Sequence, residues 1–148
     1  MSSKAVTRAD AGLASTLRVA VLRLRRRLVN EHAPDNDLSI GSMAVLGALA
    51  KGGEATIGEL AAHERVQPPS MTRIVGCLAD GGYVERRASD TDRRQVIVAI
   101  TEKGRATLEA DKRRREEWLA RRLAALTPQE RAILRAAAPV LEKLATSE

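Results

Sequence analysis

Aromatic side chains are almost missing from this chain: 148 residues hold one Tyr, one Trp and no Phe. Any core must therefore be built from Leu, Val, Ile, Ala and Met. The stacked aromatic platforms that single-strand nucleic-acid binders use are excluded. Cysteine is also scarce. Cys77 stands alone, which rules out an internal disulfide and a Cys-rich zinc site. No apolar run is long enough for a membrane span or a signal peptide, and Lys4 and Arg8 lead straight into an amphipathic pattern. No membrane association is expected, and the expected location is the cytoplasm. The chain has no Gly-rich phosphate loop, HExxH or GxSxG. Asp90 and Asp92 form a carboxylate pair, but on a turn beside arginines, the wrong setting for a raised pKa. His32 and His63 lack the close spacing of metal ligands. No enzyme, cofactor or metal is expected.

What is present is a leucine- and arginine-rich chain with 44% apolar and 30% charged residues, the balance of a folded protein. Its net charge of +6 is unevenly spread. Residues 1–33 carry seven Lys/Arg against two acids, residues 34–64 one against five, and residues 65–105 eight against five. Such a pattern suits a polyanionic partner, and it equally suits an arginine-rich composition with no such partner.

Apolar spacing predicts a helix over 11–31 through Leu13, Leu17, Val21, Leu24 and Leu28, ended by Pro34. A second helix starts after Ser39, buries Met43, Leu46, Leu49 and Ala50, and stops at Gly52-Gly53. Thr56 and Glu59 have capping-box spacing for a short third helix with Ile57, Leu60 and Ala61 inward. A fourth helix opens at Pro68-Pro69 with a stripe of Met71, Ile74, Val75, Leu78 and Ala79. Its opposite side carries Arg73, Gly76, Cys77 and Asp80, with Ser70 and Thr72 at the flanks. "YVERRA" and "QVIVAI" read as two strands joined by a turn holding Ser89, Asp90, Thr91 and Asp92. A long charged helix follows, then a last one from the capping box Thr127-Pro128-Gln129-Glu130. The centre is thus a helix-turn-helix with a hairpin attached. Both ends are amphipathic helices whose apolar faces call for a partner, most simply a second copy.

The stretches "LSIGSMAVLGAL", "TIGELAAHERV", "SMTRIVGCLADGGYVERRASDTDRRQVIVAITEKG" and "LTPQERAILRAAAPVLEKL" together resemble the MarR family of bacterial transcription regulators. The resemblance covers almost the whole chain and is most specific over residues 70–104. It implies a mainly α (α+β) winged helix-turn-helix. Residues 1–34 would form an N-terminal dimerisation helix and residues 35–101 the DNA-binding region. Within that region the recognition helix would span about 68–81 and the wing about 83–101. Residues 102–148 would form C-terminal dimerisation helices. The implied function is sequence-specific binding of double-stranded DNA by a homodimer, as a repressor released by a small anionic or phenolic effector. Two departures stand out. Gln67-Pro68-Pro69 replaces the Ser or Thr that relatives often place at the start of the recognition helix, and Gly76 and Cys77 replace polar or basic residues. The competing reading is an architectural or protein-interaction winged helix that does not read sequence.

On this reading Ser70, Thr72 and Arg73 are the DNA-facing residues of the recognition helix, contacting phosphates or base edges. Arg94 is the candidate for a narrow minor groove, where negative potential is focused. Asp92 is its brace. Arg87 and Arg93 contact phosphates or are simply solvated. Without a second thiol, Cys77 is expected to be inert rather than a redox switch. The basic runs Arg25-Arg26-Arg27 and Lys112-Arg113-Arg114-Arg115 are read as solvated helix faces, and Trp118 as packing at the dimer core.

Overall fold

The structure, a computed structural model, describes residues 5–147. It divides into two compact units: residues 32–114, and a helical unit made of the described residues up to Glu31 and from Arg115 onward. Its elements are α1 (Arg8–Asn30), α2 (Ile40–Gly52), β1 (Ala55–Thr56), α3 (Ile57–Glu64), α4 (Pro68–Asp80), β2 (Val84–Ala88), β3 (Val96–Ile100), α5 (Glu102–Ala124) and α6 (Pro128–Thr146). A small antiparallel sheet beside a larger set of helices makes the mainly α, winged helix-turn-helix class.

Within residues 32–114, α2 starts where the Ser39 hydroxyl accepts the Ser42 N–H. Its buried stripe is Ser42, Val45, Leu46 and Leu49. The expected Ala50 is exposed, because it lies one residue, about 100° of helix rotation, past Leu49. Gly53, at φ 82°, turns the chain out of α2 in a conformation that suits glycine. After Glu54, Ala55 and Thr56 form β1, a strand too short to leave an alternating pattern. Thr56 then caps α3 in a full capping box with Glu59. Arg65 ends α3 in the left-handed region at φ 54°, the one non-glycine residue with positive φ among those described. Such a backbone costs about 1 kcal/mol for a residue bearing a Cβ.

The sheet order is β1-β3-β2, with Val98 of β3 opposite Ala55 on one side and Arg86 on the other. Val84 and Val98 point from this sheet into a core closed by Val45, Leu46, Leu49, Leu60, Ala61, Met71, Val75 and Leu78. The hairpin is fixed at its base. Thr101 donates its N–H to the Tyr83 carbonyl (3.0 Å) and its hydroxyl to the Gly82 carbonyl (2.6 Å). The motif Thr101-x-x-Gly104 has a steric cause: a Cβ at 104 would collide with the Tyr83 carbonyl and the Ile100 side chain. One buried polar cluster was not legible in the sequence. Asp111, 0% exposed, accepts from Asn36 Nδ2 (2.8 Å) and the Ala33 N–H (2.9 Å), which ties the segment before α2 to α5.

In the helical unit, α1 begins earlier than apolar spacing suggests, at a capping box of Thr7 and Asp10. Neither α1 nor α6 contains a buried residue. Trp118, 8% exposed, is the most covered large apolar side chain of this unit, with the guanidinium carbons of Arg27 and Arg122 at 5.7 and 5.3 Å from its ring centre. Leu13, Val21, Leu24, Ile133, Leu134, Val140, Leu141 and Leu144 stay exposed. An open apolar groove of about 970 Å³ runs along α1 and α6 between Leu17, Val21, Leu24, Leu28, Leu141 and Leu144. Pro139 sits inside α6, where it has no N–H to offer the carbonyl four residues earlier. Among the described residues no helix is long and apolar enough to cross a membrane.

Candidate nucleic-acid interface

The candidate interface is α4 and the hairpin that follows it. Proline at its first positions starts α4, since the missing N–H would have no partner there. Gln67 takes the N-cap position without a side-chain cap bond; the two prolines have no N–H and Met71 N–H bonds the Gln67 carbonyl (3.1 Å), so the Ser70 N–H is the one first-turn amide left to an outside acceptor. Met71, Val75 and Leu78 bury one side of α4 in the core. That fixes which side faces out: Thr72, Arg73, Cys77 and Asp80 are exposed, and Ser70 is half-buried. The Thr72 hydroxyl donates to the Pro68 carbonyl (3.0 Å), which leaves its oxygen lone pairs rather than its proton for a ligand. Arg73 has no ion-pair partner among the described residues.

The tip of the hairpin is organised by two short polar side chains. Ser89, buried beneath the turn, presents its Oγ to the N–H groups of Thr91 (3.3 Å) and Asp92 (3.4 Å). Asp92 Oδ1 in turn accepts the backbone N–H of Arg94 (3.0 Å) and its side-chain Nε (3.3 Å). Gln95 and Asp92 close the turn through Gln95 N–H to Asp92 carbonyl (2.9 Å), and Ser89 N–H to Gln95 carbonyl (3.0 Å) starts the ladder. The result is a guanidinium with one edge held and the rest in solvent: the Arg94 side chain is 93% exposed. The sequence suggests Asp92 as a brace for Arg94; Ser89 reads there only as a turn residue, without its burial or its hold on two turn N–H groups.

The two remaining wing arginines differ. Arg93 is exposed and has no ion pair among the described residues. Arg87 is engaged within the chain: its guanidinium meets Glu54 at 2.7 Å and Asp90 at 3.9 Å. Glu54 carried no signal in the sequence, because its partner lies 33 residues away. Cys77 is a free, exposed thiol. His63 lies beside Glu64, 3.1 Å from its carboxylate, and among the described residues no three potential metal ligands gather.

Comparison with known proteins gives a consistent result. A sequence profile of the MarR family matches residues 36–95. An HTH-type transcriptional regulator of Mycobacterium tuberculosis (strain CDC 1551 / Oshkosh) is 47% identical over 132 residues, 89% of this chain and 92% of the relative. The crystal structure of a protein from Pseudomonas aeruginosa PA01, described as a transcriptional regulator, superposes with a TM-score of 0.83 at 38% identity. That match covers 96% of this chain and 100% of the other. Streptococcus pneumoniae FabT, solved in complex with DNA, shares the fold at 24% identity and a TM-score of 0.59, over 93% of this chain and 94% of FabT.

Proposed function

The chain belongs to the MarR family of DNA-binding transcriptional regulators, which are not enzymes, and from that premise we propose how it binds. It acts in the cytoplasm as a homodimer on a pseudo-palindromic operator, as a repressor released by a small anionic or phenolic ligand. Each copy places α4 in a major groove, with Ser70, Thr72 and Arg73 toward the DNA. Arg94 and Arg93 of the hairpin reach the adjacent minor groove and its phosphates. In a two-fold dimer the two α4 helices sit about 34–36 Å apart, one helical turn of duplex.

The observation that carries this reading is the hairpin tip. A solvated turn has no need to pre-order an arginine, yet Asp92 binds both the backbone and the side chain of Arg94 while leaving its outer edge free. Holding a guanidinium in place lowers the entropy lost when it enters a narrow groove. The FabT complex supports a DNA-bound state for this fold. The apolar faces left open on α1 and α6 support a second copy as the cover.

Footprinting on the DNA upstream of its own gene tests the reading. Protection of one short symmetric site is expected, and uniform weak coverage would replace it with a non-specific architectural role. On the protected duplex, Arg94→Ala should weaken binding by about 1–3 kcal/mol. Asp92→Asn should cost less, because the arginine remains but is poorly aimed. Equal affinity for Asp92→Asn and the wild type would remove the brace while leaving the wing.

A further inference from the structure

We propose that Glu54 is a positioning residue for DNA binding: through Arg87 it straps the hairpin to the body of residues 32–114 across the outward face of the sheet. This inference rests on the proposed DNA contact of the wing.

The strap follows from the register. Arg87 of β2 stands opposite Ile97 of β3, and Ile97 stands opposite Thr56 of β1 on its other side. Residues directly opposite one another share a face, so Arg87, Ile97 and Thr56 form one row on the side away from Val84 and Val98. Glu54 lies just before β1, delivered there by the turn at Gly53. To meet Glu54 at 2.7 Å, the Arg87 side chain must cross β3, laying its aliphatic stem along the half-buried Ile97.

The hairpin needs such a tie. Its tip is ordered by Ser89 and Asp92, and its base by Thr101, so it is stiff within itself. Its middle is joined to the body by Val98 in the core and by β1, a ladder of only two residue pairs. A short ladder sets register well and tilt poorly. The Glu54–Arg87 pair adds a second attachment on the same edge. Tilt decides whether Arg94, at the far end, arrives in a groove.

The same geometry argues against Arg87 as a phosphate ligand. Its guanidinium already faces two carboxylates, Glu54 and Asp90. A phosphate there would have to break a charge-assisted hydrogen bond and sit among two like charges. Arg73, Arg86 and Arg93 are exposed and make no ion pair among the described residues, so they offer charge at no such cost.

The two readings differ in sign. Glu54→Gln removes a negative charge from a face turned toward a polyanion, so Coulomb forces alone predict tighter binding. The strap predicts weaker binding. The experiment is a salt titration of binding to the footprinted duplex by E54Q, R87Q, R87K, the exchange E54R/R87E and the control R94Q, each checked by thermal melting. Both E54Q and R87Q should lose about two- to fivefold in affinity, the range open to an exposed ion pair. R87K should fall between R87Q and the wild type, and the exchange should recover most of the loss. The slope of log affinity against log salt should be unchanged in R87Q, since no phosphate contact is lost. Tighter binding by E54Q, a slope reduced by about 0.9 in R87Q, or an exchange no better than the singles would each overturn the strap. If R94Q binds like the wild type, the wing reading falls and the strap with it. If R94Q binds weakly while E54Q is unaffected, the strap alone is wrong.

Discussion

Residues 32–114 and the helical unit solve the burial of apolar surface in opposite ways. In the first, ten side chains from three helices and two strands close on one another, from Val45 to Val98, and each is at most 3% exposed. In the second, Trp118 alone among the large apolar side chains approaches that state, and a row from Leu13 to Leu144 remains in solvent. The helical unit has the more leucines, 11 against 6, yet buries fewer of them, so composition does not explain the contrast. Topology does. α2, α3 and α4 cross at short loops and share a sheet, so each finds a neighbour for its apolar stripe. α1 and α6 are long and few, and two long helices cover only one strip of each other. The first unit closes its own core; the second leaves an apolar face in solvent. A closed core and an open apolar face are therefore carried by different parts of one short chain.

The largest effect expected is in the closed core. Leu46→Ala, at a fully buried position, should destabilise residues 32–114 by about 2–5 kcal/mol, read from urea unfolding by circular dichroism. That loss should not depend on protein concentration; a concentration-dependent loss would mean that the core is completed by a partner and the contrast is false. Next comes the open face. Leu144 is 61% exposed in the single chain, so Leu144→Asp should leave the fold of one copy intact. Burying that carboxylate in a helix–helix interface should raise the dimer dissociation constant by about a hundredfold, near 3 kcal/mol, seen by sedimentation. An unchanged dimer would place the interface elsewhere. The smallest effect belongs to the start of α1. Hydrogen bonds from the Thr7 side chain and backbone hold the Asp10 carboxyl below its ordinary value of 3.8. A depressed folded pKa means that the stabilisation is present above the unfolded value and is lost as the pH falls through the folded one. Amide exchange at residues 8–11 should therefore speed up only in that acid window. No change there, or a change near neutral pH, would mean that the cap does not hold the helix end.

The same contrast decides what the sequence could reveal. Helices α2, α3 and α4 were legible because their caps and stripes are local: Ser39, the Thr56–Glu59 box, Pro68-Pro69, and apolar residues at spacings of three and four. The strands β2 and β3 were legible from β-branched runs around a polar turn. Long-range polar partners were not. Asn36 and Asp111 are 75 residues apart and Glu54 and Arg87 are 33 apart, and a single charged letter carries no trace of its partner. β1 was invisible because two residues cannot show alternation. The start of α1 was misplaced because apolar spacing begins at Leu13, whereas its box is polar, Thr7 and Asp10. At the interface, the outward placement of Arg73 followed from the stripe opposite it, and the brace on Arg94 followed from turn chemistry. That Arg87 is engaged by an acid required the fold.

The two aromatic residues fall one to each unit. Tyr83 packs at the foot of the hairpin, with the Lys103 ammonium 4.5 Å from its ring centre, while Trp118 of α5 lies near the guanidinium groups of Arg27 and Arg122. The molecule therefore carries a built-in optical separation. Light absorbed only by the indole reports the helical unit, and its emission should shift when that unit associates or opens. Melting of residues 32–114 is read through the phenol and the backbone. A single sample, watched at two wavelengths, can show which half of the protein yields first.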